Sequence, residues 1–290
     1  MHEQAGGSTP VLICVPHAGR DYRPALLSRR RHERIDLSVL EDRHIDAVGK
    51  MVADATGADL LVARAPRALI DLNRAPDDLD PAMFYDKATS DKARGSELPI
   101  GHRSARGLGL FPRYVHGQGE LWDDRMSRAE GEHRITQVHT PYHAAVSNIL
   151  AAKRNDFGEA LLLDLHSMPS LPAGAAIAGQ GIPTHVLGNR FGSSCGSDLA
   201  DAALDSLARD HVSCTVNRPY AGAYVLDRHG NPRGGIHAIQ LEIDRACYLD
   251  DRTHLDERRA SHHAAIVIRM VNRLEDLLHA RRRATAMAAE

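Results

Sequence analysis

The sequence predicts an α/β fold, a single domain with a central mixed, mostly parallel sheet flanked by helices. Two observations carry that prediction. Short apolar runs alternate along the chain with longer segments whose apolar residues recur at helical spacing, the pattern of βα units. No internal repeat and no low-complexity linker divides the 290 residues. At about 150 residues per domain, one large α/β unit accounts for that length as well as two smaller ones. The domain is expected to span 1–290, with 1–9 and 282–290 as flexible ends.

Val11–Val15 is an unbroken apolar run closed by Pro16 and reads as a buried strand. From Asp36 the spacing Leu37, Leu40, His44, Val48, Met51, Val52 predicts a helix, which Gly57 stops. Leu60–Ala63 and Ala68–Leu72 read as strands. Residues 73–112 hold many Pro, Gly, Asp and Arg with little periodicity, and are expected to form a long loop region beside the site. Thr140-Pro141 signals a helix start, with Thr as N-cap and Pro at the first helical position, and the helix runs to about Arg154. Ala160–Leu165 is another buried strand and His185–Gly188 a short one. A helix follows over Ser194–Arg209, N-capped by Ser193 or Ser194. Val212–Val216, Ala223–Leu226 and Ile236–Ile243 read as strands, with an Arg228–Asn231 turn between the last two. The final helix, from about Asp256 to Arg281, carries Ile266, Ile268, Met270, Val271, Leu274 and Leu277.

Composition narrows the function classes. The formal net charge is −2 and the 36 basic residues are spread among 38 acids, so there is no basic stripe of the kind that binds nucleic acid. No apolar run is long enough to span a bilayer. Met1–Pro10 lacks the basic start and apolar stretch of a secretory signal, and a cytoplasmic location is expected. Cys14, Cys195, Cys214 and Cys247 form no Cys-x-x-Cys pair and read as reduced thiols. Histidine is the unusual component, with 18 copies against four phenylalanines and one tryptophan.

Three strands run directly into residues suited to chemistry. Val11–Val15 leads to His17, Leu161–Leu165 contains Asp164 and leads to His166, and Ile236–Ile243 carries Glu242. In open α/β sheets ligands sit at the carboxyl ends of strands, so these residues can converge. Two histidines and a carboxylate make a catalytic zinc set with an open position for water. The third ligand falls among Glu41, Asp42 and Asp46, or is Glu242 itself. A single strand-end histidine is more often a hydrogen-bonded structural group. A carboxylate inside an apolar run needs a partner, however, and Asp164 shares a face with His166 two residues on, where it would orient a neighbour or face the cleft.

Three patterns are set aside. Gly192-Ser193-Ser194-Cys195-Gly196 fits Gly-x-Ser-x-Gly, but that elbow needs a strand running into the serine, and Asn189–Gly192 intervenes. His254-x-x-Glu257 opens the last helix with no strand-end partner. His139 and His143 are four apart, but Pro141 lies between them at a helix start, so a shared face does not follow.

Six segments occur in the order found in the N-formylglutamate amidohydrolases: Val15-Pro16-His17-Ala18-Gly19, Glu41–Asp46, Arg67–Arg74, Pro141-Tyr142-His143, Asp164-Leu165-His166-Ser167 and His237–Glu242. The chain resembles that family over roughly residues 10–275. The resemblance implies a fold similar to zinc-dependent carboxypeptidases and hydrolysis of N-formyl-L-glutamate to formate and glutamate, in histidine degradation. It implies one zinc per chain on His17, His166 and Asp42, with Glu41 and Asp46 as the alternatives to Asp42, and Glu242 as general base. Arg67 and Arg74 are expected to grip substrate carboxylates, and His143 to line the site. Asn217, Arg218 and Tyr224 resemble the family's Asn-Gly-Arg…Tyr segment and are expected to bind substrate. Here the glycine is missing and Pro219-Tyr220 follows, which leaves an amidase for another N-acyl amino acid, desuccinylase-like, as the nearest rival. A serine hydrolase using Ser194 and a non-catalytic binding protein are the remaining alternatives. The expected partner is a small N-acyl amino acid, with no nucleic acid and no membrane.

Overall fold

The computed structural model describes residues 2–4, 8–85, 107–115, 117–177, 179 and 181–288. The first half of the chain forms β1 (His2–Gln4), β2 (Val11–Val15), α1 (Pro24–Leu27), α2 (Ile45–Thr56), β3 (Asp59–Val62), β4 (Tyr114–Val115), β5 (Gly119–Glu120), α3 (Arg128–Arg134) and α4 (Thr140–Phe157). The second half forms β6 (Ala160–Met168), β7 (His185–Gly188), α5 (Ser197–Arg209), β8 (Cys214–Val216), α6 (Tyr224–His229), β9 (Ile236–Asp244) and α7 (Glu257–Ala288). Seven strands make one mixed sheet in the order β1-β3-β2-β6-β9-β7-β8. The pairs β3/β2, β2/β6, β6/β9 and β7/β8 are parallel, while β1/β3 and β9/β7 are antiparallel. β4 and β5 form a separate small ribbon. Among the described residues no helix is long and apolar enough to cross a membrane.

The alternation of side chains along a strand divides the core in two. Val11, Ile13, Val15, Leu161, Leu163, Leu165, Ile239, Leu241 and Ile243 face α2, α5 and α7. Leu12, Cys14, Ala160, Leu162 and Ala238 face the layer built on α4, α6 and the long connections. Asp164, His166, Gln240 and Glu242 keep the parity of that second set, so the chemistry-bearing residues emerge on the α4/α6 side. They are in register: Asp164 lies opposite Gln240 and His166 opposite Glu242.

Several expectations require correction. The helix read from Asp36 breaks into a 3-10 turn at Leu37–Leu40 and α2, with Glu41–His44 between them and His44 at φ +61°. In that break the Asp42 N–H donates to the His17 carbonyl (3.0 Å), which draws the segment to the end of β2. Ala68–Leu72 is not a strand. It is apolar because Ala68, Ile70 and Leu72 are buried, while the Asp71 N–H bonds the Leu110 carbonyl across a loop. Ala223–Leu226 lies in α6, with Val225 and Leu226 fully buried, and a short apolar run does not distinguish the two states. Only Cys214–Val216 of Val212–Val216 pairs as a strand.

The helix expected at Thr140 begins instead after Ser127, whose side chain accepts from Glu130 N–H, and continues through one π turn at Ile135–His139 into α4. A wide turn ahead of Pro141 makes room for a ring that would otherwise meet the preceding turn. Ser194 does not cap α5; Gly196 occupies that position, and α7 extends past Arg281. His2–Gln4, expected as a flexible end, adds an edge strand antiparallel to β3. Of the loop region 73–112, residues 86–106 lie outside the described residues; the remainder holds one 3-10 turn at Pro81–Met83.

Burial leaves several imidazoles neutral. The rings of His185 and His263 lie nearly parallel at 5.5 Å between β7 and α7, and those of His143 and His229 nearly parallel at 5.2 Å between α4 and α6. Burial first, then the neighbouring imidazoles and, at His143 and His229, Arg228 as well, pushes His143 down to about 2, His185 to about 3, and His229 and His263 to about 4. Between about pH 6.5 and those values the unfolded chain binds protons that the folded chain refuses, so stability falls as pH drops through that window. His185 alone is expected to remove about 2 kcal/mol by about pH 5. Urea midpoints measured from about pH 7.5 to about pH 5 check this; a flat midpoint would contradict it.

Candidate active site

Each side chain of the site follows from the end of a buried strand or the turn beside it. His17 stands two residues past β2, Asp42 in the break before α2, His166 near the end of β6, and Glu242 near the end of β9. All four are buried, none more than 7% exposed. Potential ligand atoms of His17, Asp42 and His166 lie within 4.8 Å of one another. Asp42 Oδ2 is 2.9 Å from His166 Nδ1 and 3.4 Å from His17 Nδ1. The two rings are 4.8 Å apart, inclined at 68°.

The outer nitrogen of each ring is held by a second carboxylate. His17 Nε2 is 2.7 Å from Asp71 Oδ1, and His166 Nε2 is 2.9 Å from Asp164 Oδ2. These bonds present both Nδ1 atoms toward Asp42, and His17 Nδ1 is buried with no hydrogen-bond partner. Two imidazoles backed by carboxylates and facing a third form a donor set that fits a divalent metal. The surrounding charge agrees. Burial opposes ionisation of Asp42, but His166 and His17 outweigh it and hold its carboxyl well below the usual range. For Asp71 the same opposition from burial is overcome by Arg67, then His17. Burial also opposes a charged His166, yet Asp164 and Asp42 raise it well above an ordinary imidazole. The pocket therefore draws positive charge to the space between the rings.

The other acids weighed as ligands are engaged elsewhere. Glu41 accepts from Tyr22 (2.6 Å) and Arg43 (3.2 Å), and Asp46 pairs with Arg20 at the start of α2. Glu242 stands outside the three-residue group, and its Oε1 accepts from Gln240 Nε2 at 2.8 Å. Burial first, with Asp42 adding to it against the pull of His166, raises its carboxyl to about 7.

The cleft over these residues has a volume of about 210 Å³ and is lined by Arg67, Asn73, Arg74, Gln240 and Arg245 among others. Arg67 Nε donates to Asp71 Oδ2 (2.9 Å), and Arg74 is braced by the carbonyls of Leu108 and Asn73. The structure does not bring Asn217, Arg218 or Tyr224 to this cleft. Asn217, at φ +59°, spends its amide on Asn189 and so ties two loops together. Arg218 is exposed outside the lining. Tyr224 packs its ring against His139 and His143. His143, expected to line the site, bonds the Leu72 carbonyl from outside the cleft. It does share a face with His139, their rings being 4.3 Å apart, because the helix runs on through Pro141 and residues four apart lie on one face.

Ser194 is buried and donates its hydroxyl to the Ala238 carbonyl, which leaves no exposed elbow. His254 is exposed and bonds Asp250. Sequence reasoning missed Asp71 as the partner of His17, and also Arg245, whose guanidinium reaches the Glu41 carbonyl, Ser167 Oγ and Asp42 Oδ1. Its position directly after β9 was the available signal.

Comparison with known proteins agrees with this architecture. The family model described as N-formylglutamate amidohydrolase matches residues 9–249. An N-formylglutamate deformylase of Pseudomonas aeruginosa is 30% identical over 254 residues, covering 85% of this chain and 84% of that protein. One from Pseudomonas putida is 29% identical over 255 residues, covering 84% of each. The crystal structure of an N-formylglutamate amidohydrolase from Ralstonia eutropha superposes with a TM-score of 0.78 at 27% identity, covering 92% of this chain and 94% of that one. A gene product of Agrobacterium tumefaciens, 18% identical, shares the fold with a TM-score of 0.64, covering 93% of this chain and 92% of that one.

Proposed function

We propose, for a chain that belongs to the N-formylglutamate amidohydrolase family, that it hydrolyses the formamide of N-formyl-L-glutamate to formate and L-glutamate with the help of a zinc ion. The observation that carries this reading is the meeting of His17, Asp42 and His166, each ring backed by a carboxylate, beside the buried Glu242. Zinc held by those three side chains would polarise the formyl oxygen and ease the ionisation of water. The remaining work belongs to the protein. Glu242 takes the proton of the attacking water and delivers it to the departing amine nitrogen, one carboxyl serving both transfers. Asp71 and Asp164 hold the two imidazoles with Nδ1 facing inward. Arg67 and Arg74 present planar guanidinium groups suited to the substrate's carboxylates.

The relatives named N-formylglutamate deformylase support a formyl group over a succinyl chain. The test is hydrolysis of the N-formyl, N-acetyl and N-succinyl derivatives of glutamate, with chelator and with zinc restored. One added methyl is expected to lower kcat/KM by about 10-fold or more, and N-succinylglutamate to react more slowly still. Preferential turnover of N-succinylglutamate would favour the desuccinylase-like reading. Chelator-insensitive turnover lost in Ser194→Ala would favour a serine hydrolase.

A further inference from the structure

His139, His143 and His229 take no part in the proposed chemistry, and none of them lines the cleft. Their hydrogen bonds nevertheless end on the segment that does. His143 Nε2 lies 3.0 Å from the Leu72 carbonyl, and His139 Nε2 lies 2.9 Å from the Arg74 carbonyl. A carbonyl only accepts, so both nitrogens carry hydrogen. His143 Nδ1 is then a bare lone pair, and His229 Nε2, 2.9 Å away, must donate to it. His229 Nδ1 in turn accepts from Ser147 Oγ at 3.4 Å. Main-chain oxygen thus sets the direction of the whole chain, and His143 and His229 are fixed as neutral Nε2–H tautomers. Tyr224 packs against His139 and His143, at 5.5 and 5.1 Å, which restricts ring rotation.

The residue between the two held carbonyls is Asn73. Its Oδ1 accepts from Val225 N–H at 2.9 Å, so its Nδ2 faces outward and donates to Gln240 Oε1 at 3.2 Å. Gln240 must therefore turn its Nε2 to Glu242 Oε1, 2.8 Å away. A backbone donor orients both amides, and the pair ends on one oxygen of Glu242.

We infer that His139 and His143, supported by His229, are positioning residues: by holding the carbonyls of Leu72 and Arg74 they place Arg74 at the cleft and, through Asn73 and Gln240, fix one carboxyl oxygen of Glu242. The inference rests on Glu242 acting as the base. In folded, zinc-loaded protein, His143→Phe, which keeps a ring and loses both nitrogens, is expected to lower kcat/KM by about 10- to 100-fold, since small displacements of reacting groups have effects of this size. His143→Gln, which keeps a donor toward Leu72, should recover most of the loss. Gln240→Leu added to His143→Phe should cost less than the product of the two single effects, because both interrupt one chain. A merely structural role would lower thermal stability and leave kcat and KM of the folded enzyme unchanged, and that result overturns the inference. Nitrogen-15 NMR of the unaltered protein gives an independent reading. His143 and His229 are expected to carry hydrogen on Nε2 and none on Nδ1 down to about pH 6. The opposite tautomer at either ring overturns the relay, and this measurement needs no substrate, so an error in substrate assignment fails separately.

Discussion

Glu242→Gln is expected to bind zinc as the parent does and to lose about 10²- to 10⁴-fold in kcat, the range associated with removal of a positioned acid–base group. The substitution preserves volume at a buried site and keeps an Oε1 acceptor for Gln240, so the side chain has no reason to move. What it removes is the ability to take and return a proton. Burial and the Asp42 charge have already raised the Glu242 carboxyl to about 7, close to the neutral pH at which such a group exchanges protons most readily. Metal content and kcat measured on the same samples check the prediction. Full activity with metal retained would remove Glu242 from its assigned role, and loss of metal would make it a ligand.

Asp42→Ala is expected to abolish zinc binding at concentrations that saturate the parent, and turnover with it. Asp42 is the shared neighbour of both imidazoles and the one carboxylate in the three-residue group. Its removal leaves His17 and His166 with no anion between them, and two imidazoles alone are too few ligands for a catalytic zinc site. The contrast lies with the two acids nearby in sequence. Glu41→Gln and Asp46→Asn alter residues engaged with Tyr22 and Arg20. Both should retain metal, and zinc analysis of the three variants identifies the third ligand directly.

The parts of the site legible in the sequence are those set by strand periodicity and strand ends. His17, His166 and Glu242 could be placed because apolar runs stop at them, and Asp164 because it lies two residues from His166 on one face of β6. Asp42 was harder, since the apolar spacing ran helix across it. The structure breaks the helix there to bond the His17 carbonyl, a tertiary contact that no local pattern records. Asp71 was hidden for the opposite reason. Its neighbours are apolar enough to pass for a strand, but they are buried without pairing in the sheet. Asn217, Arg218 and Tyr224 matched a motif in residue type, yet the backbone at Asn217 turns its amide to Asn189 instead of the cleft. Thr140-Pro141 carried a correct local signal for a helix start, which the π turn overrode by admitting the proline within a longer helix.

The dependence on metal is tested most directly by stripping the protein with a chelator and titrating zinc back while following hydrolysis of N-formyl-L-glutamate. Turnover is predicted to vanish on stripping and to return in proportion to added zinc, levelling off at about one equivalent per chain. Undiminished turnover by the stripped protein would contradict it.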